Sequence, residues 1–346
     1  MTIDTSMDQN GATVEVGENA FRYRVATKWP TLPPDLDLVE VTAVATDSQD
    51  RVYVFNRGIH PVAIFSPEGE FIDSWGQEAF ARAHGITIGS DDKVYCVDDL
   101  DHTVKQFSTD GQLLMTLGTS GLYSDTGATS VDYRNIQRVG PPFNFPTNLA
   151  ISPSGDLYIA DGYGNARIHH FSADGKLLLS WGEPGDGPGQ FHIPHGIAID
   201  RNENVYVADR ENSRIQIFTA DGQYKDEWND VARPCEVFID DDSNVYVAEL
   251  GFRAGMWSGT HPPTPNATGG RMSIFNLRGE LQCRWGGGET PCAPGDFFAP
   301  HDVWVDSRGD VYVSEVTMSA GGNRGLVSPN CHSLQKFIHQ SKEVPQ

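Results

Sequence analysis

HGIAIDRNENVYVADRENSRIQIFTADGQYKDEW, residues 195–228, holds four short apolar runs separated by polar turns. Val, Ile, Tyr and Phe fill the runs, while Asp, Asn, Gly and Ser fill the turns, the pattern of strands joined tightly. No 3.6-residue period runs through it, so it does not read as helix. The same grammar recurs from Thr42 to Gly76, from His84 to Gly118 and from Thr147 to Gly182. Two further copies are interrupted: one starts at Cys235 and resumes at Gly269, the other starts at His301 and resumes at His332. A four-strand unit repeated six times predicts an all-β fold, a six-bladed β-propeller with four antiparallel strands per blade. A pair of β-sandwiches or a solenoid would not repeat at this blade length. The last copy lacks a strong fourth strand, and FRYRVATKWP from Phe21 looks like the strand that closes it. The expected organisation is a loose tail over 1–20, one propeller over 21–340 and a short tail over 341–346.

Composition narrows the function. The chain has 346 residues and a formal charge of -22, from 25 Lys+Arg against 47 Asp+Glu. That balance argues against a nucleic-acid partner, which needs a basic face, and against docking on anionic membrane. No apolar run approaches 18 residues. Residues 1–21 carry neither a basic start nor an apolar core, so a secretory signal is not expected. Five cysteines, an odd number, do not read as a disulfide framework, which leads to a reducing, cytoplasmic setting as the expectation. Cys292 and Cys331 fall on one side of the ring and could pair, an arrangement that setting disfavours. The sequon at Asn266 is read as unused.

Aligning the copies on the Tyr of V-Y-V places Thr42, His84, Thr147, His195, Cys235 and His301 at the start of the six first strands. First strands line the central channel. Histidines from alternate blades therefore converge on the axis, although only 11 of 346 residues are His. Three imidazoles with an open fourth position are the usual donor set of a catalytic zinc, and another divalent transition metal is compatible. Cys235 shares the slot and reads as a small hydrophobe. Of the remaining histidines, His192 lies nearest this set in sequence.

The residues ending the second strands face the same side: Arg57, Asp99, Gly162, Arg210, Leu250 and Val316, with Tyr163 one residue beyond. Arg57 and Arg210 could grip a carboxylate through paired hydrogen bonds. Tyr163, near a dication and two guanidinium groups, should ionise more easily and serve as a base. Three long insertions, 119–146, 251–268 and 317–331, map to this same face. Tyr123, Phe143, Met256 and Trp257 are their candidate pocket linings. Asp302, next to His301, points into the channel. It either holds a hard cation with backbone carbonyls or orients a neighbouring imidazole.

With these residues in hand, the chain resembles the NHL-repeat propellers and, within them, the peptidyl-α-hydroxyglycine α-amidating lyases. The resemblance rests on FNRG at 55–58, AHG at 83–85, DGYGNARI at 161–168, PHG at 194–196, ADRENSRIQ at 208–216 and PHD at 300–302. It spans about residues 40–315. It implies a catalytic zinc on His84, His195 and His301, Tyr163 as base, and Arg57 and Arg210 on the substrate. It also implies a structural calcium held by Asp302 with the carbonyls of Val44 and Ile86. Gly164, Tyr206 and Ile217 stand where secreted members of the family carry disulfide cysteines, and Ala299 replaces a methionine linked to substrate contact. The reaction implied is cleavage of the C–N bond of a small N-acyl-α-hydroxyglycine, or a related carbinolamide, to an amide and glyoxylate or another aldehyde. A lactone or amide hydrolase at the same three histidines, or a non-catalytic interaction propeller, are the alternatives. The expected partner is a small molecule bearing a carboxylate.

Overall fold

The structure is a computed structural model and describes residues 13–255 and 268–340. It is a six-bladed β-propeller of antiparallel four-stranded sheets. The innermost strands are Val41–Thr46, Ala83–Ile88, Asn148–Ile151, Pro194–Ile199, Pro234–Ile239 and Pro300–Val305, and each packs beside the next around a ring that returns from the sixth to the first. Burial falls outward along each blade. In blade one, Val41–Thr46 and Val52–Asn56 are buried throughout, whereas Phe71–Trp75 is largely exposed.

The repeated residues have separable roles. The Tyr of V-Y-V donates its hydroxyl to the Asp opening the preceding turn: Tyr53 to Asp47 at 3.2 Å, Tyr246 to Asp240 at 3.2 Å and Tyr312 to Asp306 at 3.0 Å. The Trp ending a fourth strand lies across the next blade, as Trp75 does on Phe107 at 5.0 Å between ring centres. It also covers the next blade's D-G turn. A Cβ on Gly111, whose φ is +83°, would stand 2.7 Å from the Trp75 ring, so sterics and backbone both require glycine there.

Blade six closes as expected. Phe21–Val25 pairs with Leu334–His339, which joins Val311–Glu315 and Pro300–Val305. Chain start and chain end are thus laced into one sheet. A further strand, Glu15–Glu18, pairs with Phe21–Val25 and gives this blade five strands. Within the tail expected as loose over 1–20, Glu15–Glu18 is a paired strand, while residues 1–12 and the expected tail at 341–346 lie outside the described residues. The strand's sequence, EVGE, is mostly exposed and offered no clear alternation.

The cysteine expectation is corrected. Cys292 and Cys331 form a disulfide, while Cys96, Cys235 and Cys283 are free and buried. The bridge ties the end of the 317–331 insertion to the segment preceding blade six's first strand. Cysteine usage thus carries no argument about compartment. No helix among the described residues is long and apolar enough to cross a membrane.

Candidate metal centre and its pocket

His84, His195 and His301 converge at the hub: their ligand nitrogens lie within 4.8 Å of one another, and all three residues are buried. Neighbouring blades orient them. Nδ1 of His84 lies 2.6 Å from the Thr147 carbonyl, that of His195 2.8 Å from the Cys235 carbonyl, and that of His301 2.7 Å from the Thr42 carbonyl. A carbonyl only accepts, so each Nδ1 carries the proton and each Nε2 keeps a lone pair for the axis. The six residues of the slot thus alternate as ligand and orienter around the ring.

Acids ending the second strands brace the approach to each histidine. Asp98 accepts the Ala81 and Arg82 N–H groups, Asp209 that of His192, and Glu315 those of Phe298 and Ala299. Burial holds the imidazoles neutral. It is the main cause that drives His84 and His195 well below the usual range, and it takes His301 down to about 3. Three neutral, pre-aimed Nε2 atoms fit a divalent transition ion.

Tyr163 stands directly over this set. Its hydroxyl lies 3.1 Å from Nε2 of both His84 and His195, and Arg210 Nη1 donates to it at 3.4 Å. Two glycines make the approach possible: a Cβ on Gly162 would meet the Pro194 carbonyl at 2.1 Å, and one on Gly164 would meet Asn144 at 2.6 Å. Burial pushes the phenol up, and Arg210 only partly offsets this. The expectation of easy ionisation is therefore not met by the side chains alone; it needs a further cation in the site.

Arg57 donates to Glu40 Oε2 at 2.7 Å and to the Ala83 carbonyl at 3.1 Å. Arg210 Nε pairs with Glu211 at 2.9 Å, and Glu211 is shared with the buried Arg233. Both arginines, with Tyr163 and His301, line one cavity of about 260 Å³. Each insertion contributes to its wall, through Val131, Gly255, Ser319 and Ala320. Tyr123 and Phe143 do not line it. Tyr123 is exposed against His102, and Phe143 is buried against Phe171 and His169. Met256 and Trp257 lie outside the described residues. His192 packs against Tyr133 and stays apart from the three histidines.

Arg82, Glu40 and Arg324 of this face escaped sequence reading, whereas Asp99 was placed here by its second-strand slot. Arg82 makes a two-pronged pair with Asp99, both bonds 2.7 Å, and both residues line the cavity. Glu40 bridges Arg57 and the 317–331 insertion, accepting the Ser319 N–H at 2.6 Å.

Below the histidines, Asp302 accepts the N–H groups of Val303 at 2.6 Å and Val44 at 3.3 Å. Glu236 faces the same channel, accepts from Ile197 and Val237, and bonds Asn148. Burial raises both carboxyls, and Asp302 raises Glu236 further. Among the described residues neither has a cationic side-chain partner. This donor set fits a hard cation. Among the described residues no imidazole is bonded to Asp302, so its second expected role, orienting a histidine, is not seen. Asn148, Glu236 and Asp302 each follow the hub slot, in blades three, five and six, so the same register argument moved one residue along would have found them.

Comparison with known proteins gives the family. The human protein named NHL repeat-containing protein 3 is 34% identical over 341 residues, covering 93% of this chain and 86% of its own. The chain belongs to the NHL-repeat family. The NHL repeat model itself matches residues 143–171 and 191–218, within blades three and four. This NHL-repeat propeller is also similar to a Drosophila melanogaster protein named peptidyl-alpha-hydroxyglycine alpha-amidating lyase 1, at 27% identity over 94% of the chain. It spans only 61% of that protein's length. A gluconolactonase from Xanthomonas campestris superposes with a TM-score of 0.59 at 13% identity, covering 94% of this chain and 95% of its own, a likeness of fold.

Proposed function

We propose that this protein is a metal-dependent carbon–nitrogen lyase acting on a small N-acyl-α-hydroxyglycine or a related carbinolamide. The observation that carries the reading is the hub: three Nε2 atoms with committed Nδ1 protons, and a tyrosine hydroxyl 3.1 Å from two of them. Similarity to a protein named as an amidating lyase supports it.

His84, His195 and His301 would hold a divalent transition ion, with zinc best matched to three imidazoles. Bound there, it supplies Lewis acidity that acidifies a hydroxyl on its open side and stabilises the ionised phenol. Arg57 and Arg210 bind and orient the substrate carboxylate. Tyr163 takes the proton of the substrate hydroxyl. The hydroxyl oxygen then forms the carbonyl of glyoxylate, the C–N bond breaks, and the nitrogen leaves as an amide that recovers a proton. No water is consumed. Asp302, with the carbonyls of Val44 and Ile86, would hold a calcium ion that pins the channel below the histidines.

The test is product analysis. Zinc-loaded protein incubated with N-acyl-α-hydroxyglycines should release glyoxylate and amide without incorporating solvent oxygen. Incorporation of that oxygen into a carboxylate would mean hydrolysis instead. Release of no product from the panel at verified zinc occupancy would overturn the lyase reading.

A further inference from the structure

The pocket over the histidines is rich in arginine in a strongly acidic protein. Four guanidinium groups line it, those of Arg57, Arg82, Arg210 and Arg324, against one lining carboxylate, Asp99. Three of the four are committed: Arg57 to Glu40, Arg82 to Asp99 and Arg210 to Glu211. Arg324 differs. Among the described residues no carboxylate lies within ion-pair distance of it, and its hydrogen bond is to the Ala320 carbonyl of its own turn.

Arg324 is carried by the 317–331 insertion, on the turn Gly322–Arg324 that follows the helix Thr317–Ala320. The insertion is held in place against the site. Cys331 is disulfide-bonded to Cys292, the Ser319 N–H donates to the same Glu40 that fixes Arg57, and Gly255 donates to the Ala320 carbonyl at 3.1 Å. The surrounding sequence leaves the charge unanswered. Neither 251–268 nor 317–331 contains an Asp or Glu, in a chain that has 47 of them among 346 residues. Arg324 thus stands in the pocket lining as an exposed guanidinium with no ion-pair partner among the described residues, on an insertion that carries no acid of its own. A guanidinium placed so at a pocket mouth suits a carboxylate.

Resting on the lyase reading of this site, we infer that Arg324 selects substrates whose acyl end carries a second anionic group. The substrate class is then a short dicarboxylate: the hydroxyglycine carboxylate on Arg57 and Arg210, and the acyl-chain carboxylate on Arg324.

The test uses unreactive analogues that lack the hydroxyl. N-oxalyl-, N-succinyl- and N-glutarylglycine are each compared with the corresponding terminal carboxamide by calorimetry on the zinc-loaded full chain. At least one diacid should bind about tenfold more tightly than its carboxamide, the scale of a charge-assisted hydrogen bond in a partly dry site. Arg324→Gln should remove that preference while leaving carboxamide affinity and zinc content unchanged. Arg253→Gln, on the other insertion and paired with Glu289, should keep it. Equal binding of every pair by the wild type, or a preference that survives Arg324→Gln, would overturn the inference. Glyoxylate release from the hydroxylated counterparts is scored separately. Its absence with the binding preference intact would fault the lyase reading alone.

Discussion

Tyr163 is pulled two ways. Burial raises its phenol, while Arg210 and a cation on the three histidines lower it. Its hydroxyl is nonetheless held at the hub, where a proton must move. Tyr163→Phe should lower glyoxylate release by about a hundredfold or more, the scale of one acid–base group, with zinc content unchanged. Full activity in that variant would remove Tyr163 from the chemistry. The histidines give a pH signature. Their folded values lie below the ordinary imidazole value, so protons compete with metal only in more acidic solution. Three ordinary imidazoles would lose about fiftyfold in metal affinity between pH 7.5 and pH 6 through protonation. This site should lose only a few fold, measured with a chelator of known pH dependence. The histidine set, Arg57, Arg210 and Tyr163 were legible because repeat register fixes which blade and which end each occupies. Arg82 and Arg324 were not. Arg82 precedes its aligned copy and Arg324 lies in an insertion, segments whose path no periodicity encodes, although Arg82's partner Asp99 sits in the second-strand slot.

At the scale of elements, the recurring Trp joins blades more than it fills one. Trp228 packs on Tyr206 of its own blade and Phe275 of the next, and covers Gly279 of that blade's turn. Trp228→Ala should cost about 3–5 kcal/mol, read from denaturant unfolding, since it empties a seam that a glycine turn cannot refill. A cost within error of zero would contradict the seam. The W-G and D-G signatures were readable as strand and turn ends. Their function as a latch was not, because one lies on each side of a blade boundary. The disulfide was missed for a different reason: Cys292 and Cys331 fall on one side of the ring, but the odd cysteine count argues for a reducing setting that disfavours the bridge the structure shows.

For the whole molecule, closure is the central fact. Phe21–Val25 completes the blade that carries His301, and Tyr23 is buried against Trp285. The chain start therefore helps hold the third ligand at the hub. Deleting residues 1–26 should lower the thermal midpoint by about 10 °C or more and weaken metal binding with it, because both depend on a closed ring. An unchanged midpoint would show that the ring does not need its lacing strand. The most direct check on the account is zinc titration of the metal-stripped full chain by calorimetry, wild type against His84→Ala and His195→Ala. The account predicts about one tight site per chain in the wild type, the stoichiometry of a single three-histidine centre, and its loss in both variants while they stay folded. Wild-type protein that takes up no zinc, or variants that bind it as tightly, would contradict it.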